Sequence, residues 1–166
     1  QGKFDEAQVK FEQANNIKST PETLNNLGAV AYMKDDLAKA TQLFNQAKTG
    51  GPDVEHNIAN LSVKRGQYSN AIRGYGAANS FNKALAQVLD GKLDAASSTL
   101  DAAPQKDEAI AFYLRAIIAA RKGNDNAVVN NLQSAFAKDA SLKAKASRDR
   151  EFIKLFDNAS FTSIVR

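Results

Sequence analysis

The sequence contains no cysteine and no tryptophan, and it has a single histidine among its 166 residues. Without cysteine the chain can form neither a disulfide nor a thiolate metal site, although this leaves the cellular compartment open. The lone histidine, His56, has no second histidine or cysteine with which to complete a zinc site. We therefore interpret His56 as a surface residue and predict neither a metal nor a cofactor.

Proline and long apolar runs are also scarce. There are three prolines, and Val, Ile and Thr never alternate with polar residues over a useful length, so the pattern gives strands no support. No run approaches the roughly 18 apolar residues that a membrane-spanning helix requires. With 43% hydrophobic and 24% charged residues, the composition is ordinary for a globular domain. These features predict an all-α domain with no segment inserted in a membrane.

Motifs of enzymes are missing as well. The chain has no Gly-x-Ser-x-Gly motif and no glycine loop that could cradle a phosphate. Two pairs of carboxylates could be imagined as acid and base. Asp35 and Asp36 lie in a predicted turn, however, and Asp149 and Glu151 lie in a charged amphipathic segment. We predict a non-catalytic protein.

The formal charge is +4, and the basic residues are concentrated mildly between Lys138 and Lys154, where Asp139, Asp149 and Glu151 interrupt them. A solvated helix face explains this run best. The alternative is a patch that binds a polyanion such as nucleic acid. The sequence lacks the interleaved aromatic and basic residues of single-strand binders, so nucleic acid is not a favoured partner.

One short phrase recurs five times along the chain: GKFDEA from Gly2, DDLAKA from Asp35, GQYSNA from Gly66, GKLDAA from Gly91 and GNDNAV from Gly123. Apolar residues at helical spacing follow each phrase. The last residues of the phrases are separated by 33, 31, 25 and 32 positions. We interpret each phrase as a turn that ends one helix and begins the second helix of a hairpin, with Asp35 replacing the glycine in one repeat.

Small and large residues keep fixed offsets from the last residue of each phrase. Large residues stand four positions later, namely Phe11, Phe44, Tyr75, Leu100 and Leu132. Alanine stands seven positions later in every repeat, and Gly28, Ala59, Ala84 and Ala116 stand twelve positions earlier. Antiparallel helices approach closely only where side chains are small, so this pattern predicts closely packed helical hairpins.

The stretch LNNLGAVAYMKDDLAKATQLFNQAKTGGP, Leu24 to Pro52, resembles the tetratricopeptide repeat (TPR) family of bacterial type. The resemblance implies an all-α, right-handed α-α superhelix, a solenoid of helical hairpins with C-terminal capping helices. It implies a half repeat at 1–19, repeats at about 20–52, 53–78, 79–106 and 107–140, and a cap at 141–166. The short spacing before Ala96 predicts that the helix from Ser80 to Asp90 is about two turns shorter than its equivalents, or follows directly on a tight turn at Asn79 and Ser80.

The two ends depart from the repeat. The first phrase begins at Gly2 and no initiator methionine precedes it, which predicts a hairpin without its first helix and further repeats or domains upstream in the native chain. In the tail, Leu142, Ala146, Phe152, Leu155 and Phe156 suit one amphipathic helix, and Phe161, Ile164 and Val165 suit a second. This tail resembles the ends of bacterial repeat proteins, which favours the periplasm or cell envelope over the cytoplasm.

The resemblance also implies a binding site, because the first helices of successive hairpins line the concave surface of such solenoids. The residue before the Leu-Gly position is Asn26, and its equivalents are Asn57 and Asn82, with Leu114 breaking the series. Each asparagine amide offers a donor and an acceptor to the backbone of an extended peptide. Neighbouring residues are expected to add selectivity: Met33, His56, Asn60, Lys64, Val88 and Arg121.

Two alternatives qualify this site. The asparagines could simply form part of a polar helix face. Binding of a peptide's terminal carboxylate, as in one subgroup of the family, is not predicted, because Asn25 stands where that subgroup needs lysine and Ala29 where it needs asparagine. The predicted function is a protein–protein interaction scaffold that binds an extended peptide or partner helix in the concave groove. The alternative is a structural spacer that packs against neighbouring domains of a larger bacterial protein. The sequence does not identify the partner.

Overall fold

The computed structural model describes residues 2–166, and this part of the chain is helical without a strand. The all-α prediction is confirmed. The described helices are α1 (Gly2–Ile17), α2 (Pro21–Met33), α3 (Leu37–Gln46), α4 (Pro52–Lys64), α5 (Tyr68–Gly74), α6 (Phe81–Leu89), α7 (Leu93–Asp101), α8 (Ala109–Arg121), α9 (Asp125–Lys138), α10 (Leu142–Ala146), the 3-10 helix η1 (Arg150–Leu155) and α11 (Ala159–Val165).

Consecutive helices pair as hairpins. The closest packing joins α2 to α3, α4 to α5, α6 to α7 and α8 to α9, and α1 packs against α2. The four hairpins span residues 21–46, 52–74, 81–101 and 109–138. The contacts divide the chain into two compact units, a first unit that ends at Ala77 and a second unit, Ala78–Arg166. No helix between residues 2 and 166 has the length and apolar character needed to cross a bilayer.

All four hairpins turn through one residue in the left-handed conformation. Its φ angle is 65° at Asp35, 71° at Gly66, 76° at Gly91 and 73° at Gly123. The N–H of the following residue donates to the carbonyl five positions earlier, at 2.8–2.9 Å. This bond closes the helix end in the Schellman motif, which explains why the phrase begins with glycine. Gly2 is the first residue of α1 and the residue before it lies outside the described part of the chain, so the predicted turn at this position stays a prediction.

Short polar side chains cap the starts of several helices, among them α2, α3 and α9. The side chain of Thr20 accepts from the backbone N–H of Thr23 at 3.2 Å, and the hydroxyl of Thr23 accepts from the N–H of Thr20 at 3.0 Å. Pro21 follows in the first turn, where its missing N–H costs nothing. Asp36 and Asn124 cap α3 and α9 in the same way, because each accepts from the N–H three residues later. Local sequence therefore determines where these helices start.

Small residues form the contacts inside the first unit. The side chains of Ala40, Ala59 and Ala71 are at most 1% exposed, in agreement with the predicted small sites. The ring of Phe44 packs on Gly28 so closely that a β-carbon there would lie 2.6 Å from two ring carbons. The large residue of the pattern thus fills the space that the small residue leaves.

Two apolar clusters form the core of the second unit. One joins α6, α7 and α8 around Leu100 and Leu114, and the other joins α8 and α9 to the tail. Phe152 and Phe161 from the tail are at most 1% exposed, and the ring of Phe152 meets the ring of Tyr113 edge-on at 5.7 Å between centroids. The tail packs over the last hairpin and covers its core.

Three predictions need correction. Ala14 and Ala78 are exposed, because α1 buries no residue and α5 ends at Gly74, before the second site is reached. Helix α6 has 9 residues against 13 in α2, α4 and α8, so it is about one turn shorter rather than two. The remaining shortening lies in α5, with 7 residues against 10 in α3.

The tail also differs from the prediction of one helix through Leu142 and Phe156. The chain forms α10 and then η1, and Asp149 marks the break between them. The carboxylate of Asp149 accepts from the N–H of Glu151 at 3.1 Å, which starts a new helical segment instead of continuing the old one.

Candidate functional site

Polar side chains of α2 and α4 meet along the first unit, and we call them the first-helix face: Asn25, Tyr32, Asn57, Asn60 and Lys64. The amide Nδ2 of Asn57 donates to Oδ1 of Asn25 at 2.9 Å, across 32 positions of sequence. Both side chains are half-buried. The predicted asparagine Asn57 therefore contacts the preceding first helix through Asn25 and not through Asn26.

Lys64 makes the second connection between these helices. Its Nζ lies 2.6 Å from Oδ1 of Asp35, 3.4 Å from the carbonyl oxygen of Tyr32 and 4.6 Å from the centroid of the Tyr32 ring. A lysine ammonium over an aromatic face is attracted by the ring quadrupole. The end of α4 is thereby connected to the end of α2 and to the turn that follows it.

Asn60 and His56 lie beside Tyr75, at the end of α5. The Tyr75 hydroxyl donates to Oδ1 of Asn60 at 2.6 Å, and the ring centroids of His56 and Tyr75 are 6.0 Å apart. Tyr75 is buried, and this burial raises the pKa of its hydroxyl well above the usual value of 10.0. Because the hydroxyl keeps its proton, it continues to donate to Oδ1 of Asn60 and holds the Asn60 amide in one orientation.

Asn26 and Met33 complete the predicted set in the first unit. Asn26 is half-buried on α2, and within residues 2–166 its side chain makes no hydrogen bond. Met33 is the last residue of α2 and is 56% exposed. Met33 thus offers an exposed apolar group at the end of α2.

The second unit holds the rest of the predicted residues. Asn82 is exposed on the first turn of α6. Leu114 is 2% exposed and belongs to the core of α6, α7 and α8, which explains why it breaks the asparagine series. Val88 is 1% exposed in the same core, so the prediction that its side chain contacts a ligand is wrong. The Val88 side chain therefore packs inward, in the cluster with Leu114.

Arg121 connects three elements of the second unit. Its guanidinium donates to both carboxylate oxygens of Glu151 on η1, at 2.8 and 2.5 Å, and to the carbonyl oxygen of Val88 on α6 at 2.6 Å. Such a bidentate pair fixes orientation as well as charge. Arg121 therefore has a clear structural role in positioning the tail on α8.

Tyr113 makes the equivalent connection deeper in the second unit. Its hydroxyl donates to Oδ2 of Asp149 at 2.8 Å, and the Nζ of Lys145 lies 4.9 Å from its ring centroid. Burial, and then the hydrogen bond to Asp149, raise the pKa of the Tyr113 hydroxyl far above its usual range. The hydroxyl therefore stays a neutral donor toward the Asp149 side chain.

Sequence reasoning missed Asn25, Tyr32 and Tyr113. A signal was available, because Asn25 and Tyr113 are each the fifth residue of a first helix, α2 and α8. Each is bonded to a side chain of an element two helices or more further along the chain. Residues 2–166 contain no group of three His, Cys, Asp or Glu side chains placed to hold a metal ion.

The described helices and contacts can be compared with known proteins. No protein-family model matches the chain, and no curated protein matches it. Among solved structures, the chain is similar to the crystal structure of YrrB, described as a TPR protein with an unusual peptide-binding site. The two share 21% identity at a TM-score of 0.63, over 87% of this chain and 84% of that chain. The chain has the TPR fold.

Within the TPR fold, α2, α4, α6 and α8 are the first helices of four successive hairpins and α3, α5, α7 and α9 are the second helices. The Asn57–Asn25 contact joins two first helices, and the Tyr113–Asp149 and Arg121–Glu151 contacts join a first helix to the tail. The residues of the first unit that were predicted to contact a ligand therefore lie on first helices.

Proposed function

We propose that this chain is a non-catalytic protein-interaction module that binds an extended peptide along the first-helix face. The observation that carries the proposal is the asparagine pair, with Asn57 Nδ2 2.9 Å from Asn25 Oδ1, continued by Asn60. The similar structure of YrrB is that of a TPR protein with a peptide-binding site, which supports a peptide or protein partner in general terms.

The asparagine amides retain capacity for a ligand. An asparagine has two N–H donors and an oxygen with two lone pairs. The Asn57–Asn25 bond uses one donor of Asn57 and one lone pair of Asn25. Because the bond also fixes the orientation of both amides, binding a peptide loses less entropy than it would if the amides had to be ordered first. Their remaining donors and acceptors match the alternating N–H and C=O groups of an extended backbone.

The spacing along α4 fits a short backbone segment. Asn57 and Lys64 are seven residues apart, which corresponds to about 10 Å along a helix axis. An extended chain rises about 3.3 Å per residue, so about three peptide residues span this distance. The amides then contact the peptide backbone, while Tyr32, Met33 and Lys64 are placed to contact its side chains.

The test begins with a selection from a displayed random peptide library against the whole chain. An enriched peptide is labelled and titrated against the parent and against the triple variant Asn25→Ala, Asn57→Ala, Asn60→Ala, which removes the three amides of the first-helix face. Loss of one hydrogen bond costs about 1 kcal/mol, so the three changes are expected to weaken binding by at least about tenfold.

Matched controls use three exposed asparagines of other helices. Asn16, Asn45 and Asn130 lie on α1, α3 and α9 and are exposed. The variant Asn16→Ala, Asn45→Ala, Asn130→Ala is expected to bind as the parent does. Equal weakening in both triple variants, or equal binding by both, would remove the asparagines from the proposal. Circular dichroism melts of each variant would show that folding is unchanged.

A second function, a structural spacer that packs against neighbouring domains, is favoured by one observation. Helix α1 has no buried residue, and its apolar residues Phe4, Val9 and Ile17 are 37%, 52% and 88% exposed. Exposed apolar side chains on a helix that buries none of its residues are suited to contact with another folded surface. A spacer predicts that the library yields no enriched peptide. Enrichment of a peptide that depends on the asparagines would contradict it.

A further inference from the structure

A shallow cleft of about 560 Å³ opens at the tail of the second unit, between α10 and η1. It is lined by Ser141, Ala144, Lys145, Arg148, Asp149 and Arg150. Three of these six residues are basic. Arg148 and Arg150 are exposed, and so is Lys145. The cleft therefore gathers three cations around one concave surface.

One carboxylate, that of Asp149, lines the cleft beside the three cations, so three positive charges and one negative charge leave a net formal charge of +2. Asp149 receives the Tyr113 hydroxyl on Oδ2 and the backbone N–H of Glu151 on Oδ1. Glu151 is engaged by the guanidinium of Arg121. Both acidic side chains between Ser141 and Lys154 are thus used to hold the tail on α8.

Within residues 2–166, by contrast, Lys145, Arg148 and Arg150 form no ion pair with a carboxylate. The ion pairs within residues 2–166 involve other lysines and arginines. Arg148 donates only its Nε, to the carbonyl oxygen of Ala144 at 3.0 Å, and Lys145 lies over the Tyr113 ring. Arg148 and Arg150 are exposed, and in the described part of the chain their outer guanidinium nitrogens make no hydrogen bond.

We propose that the cleft lined by Lys145, Arg148 and Arg150 binds an acidic segment of a partner polypeptide. Guanidinium groups recognise carboxylates through paired donors, and clusters of arginine are a recurrent means of binding acidic motifs. The inference adds a second contact surface to the proposed function and rests on it, because it takes the partner to be a polypeptide.

A nucleic acid fits the cleft less well. Binding of single strands depends on exposed aromatic faces that stack on bases. The Tyr113 ring is buried under Lys145, and the Phe112 ring is flanked by the cations of Arg115 and Lys138, at 5.1 and 5.7 Å. The cleft thus offers charge without a stacking surface, which suits carboxylate side chains.

The experiment measures fluorescence anisotropy of a labelled oligoglutamate peptide titrated with the whole chain. The variant Lys145→Gln, Arg148→Gln, Arg150→Gln is expected to weaken binding by about tenfold, because three exposed ion pairs of modest strength are lost together. The charge-matched control Lys3→Gln, Lys10→Gln, Lys48→Gln changes exposed lysines of the first unit by the same number of charges. It is expected to change binding by less than about twofold.

Three outcomes would overturn the proposal. These are equal weakening in both triple variants, equal binding of an oligoglutamine peptide, and tighter binding of a labelled oligothymidylate of the same charge. If the cleft variant melts at a lower temperature than the parent, the single change Arg150→Gln provides the measurement, since this side chain is exposed and makes no hydrogen bond or ion pair within residues 2–166.

The two proposals fail separately. Loss of library-peptide binding in the asparagine variant, with oligoglutamate binding unaffected by the cleft variant, would remove the cleft alone. The opposite result would remove the first-helix face and leave an acidic-peptide site in the tail.

Discussion

The ring of Phe44 occupies the space in which a side chain at Gly28 would begin. A β-carbon at position 28 would lie 2.6 Å from Cδ1 and from Cε1 of Phe44, well inside van der Waals contact. Phe44 is 1% exposed and belongs to the cluster that includes Ala31, Ala40 and Leu61, so its ring has little room to move. The Leu-Gly step of the repeat is therefore a packing requirement between α2 and α3.

The change Gly28→Ala is expected to lower the free energy of unfolding by about 1–3 kcal/mol, the usual cost of overpacking a core. This loss is expected although alanine is about 1 kcal/mol better than glycine inside a helix. Urea denaturation of parent and variant measures it. In a Phe44→Leu background the same change should cost much less, because the clashing ring atoms are gone. An equal cost in both backgrounds would show that the Phe44 contact is not the cause.

The turn at Asp35 provides the second prediction. Asp35 holds a φ angle of 65°, where the other three hairpin turns use glycine. A non-glycine residue in this conformation is strained by about 1 kcal/mol, while its exposed ion pair with Lys64 contributes little once salt screens it. We expect Asp35→Gly to raise the free energy of unfolding by about 0.5–1 kcal/mol in high salt.

The reciprocal change serves as the control. Gly91 has a φ angle of 76°, and the space that a β-carbon would occupy there is open, so Gly91→Asp changes backbone strain without a steric clash. It is expected to lower stability by a similar amount. If Asp35→Gly destabilised the protein in high salt, left-handed strain would not be the dominant effect at this turn.

Much of the fold could be predicted from the sequence because its signals are local. The glycine that closes each first helix and the short side chains that cap the next helix act within five residues of chain. The small positions Ala40, Ala71 and Ala96 recur because successive hairpins pack alike. The break at Asp149 was not predicted, because the apolar pattern continues through it. A single hydrogen bond from the N–H of Glu151 to the Asp149 carboxylate starts a new helical segment there.

The site was harder to predict because it depends on which face of each helix meets the next. Asn25 and Asn26 are adjacent, and successive residues of a helix point about 100° apart. Sequence offsets alone favoured Asn26, whereas the crossing of α2 and α4 places Asn25 against Asn57. The same holds for Val88, because the sequence pattern allows an apolar residue on a first helix to line a groove or to lie in the core. In the structure Val88 lies in the core cluster with Leu114 and Ile118.

The third prediction concerns alkaline pH. Tyr75 and Tyr113 are buried, and burial is the main cause that raises the pKa of both hydroxyls above 10.0. In the unfolded chain both ionise near their ordinary value of about 10. The stabilisation is therefore fully present below about pH 10, and it is lost as pH rises from there toward the folded-state values.

Each of these two tyrosines is expected to remove about 1.4 kcal/mol of unfolding free energy per pH unit above about pH 10. The measurement is urea denaturation of the parent and of Tyr75→Phe, Tyr113→Phe between about pH 8 and about pH 11. The double variant should be less stable at neutral pH, because Asp149 and Asn60 lose their hydroxyl donors. Its stability should nevertheless fall less steeply above about pH 10, since phenylalanine cannot ionise. Lysines titrate in the same range in both proteins, so only the difference between the two slopes counts. Equal slopes of unfolding free energy against pH would mean that burial does not keep the two hydroxyls neutral. The statement that these hydroxyls remain donors to Asn60 and Asp149 would then be wrong.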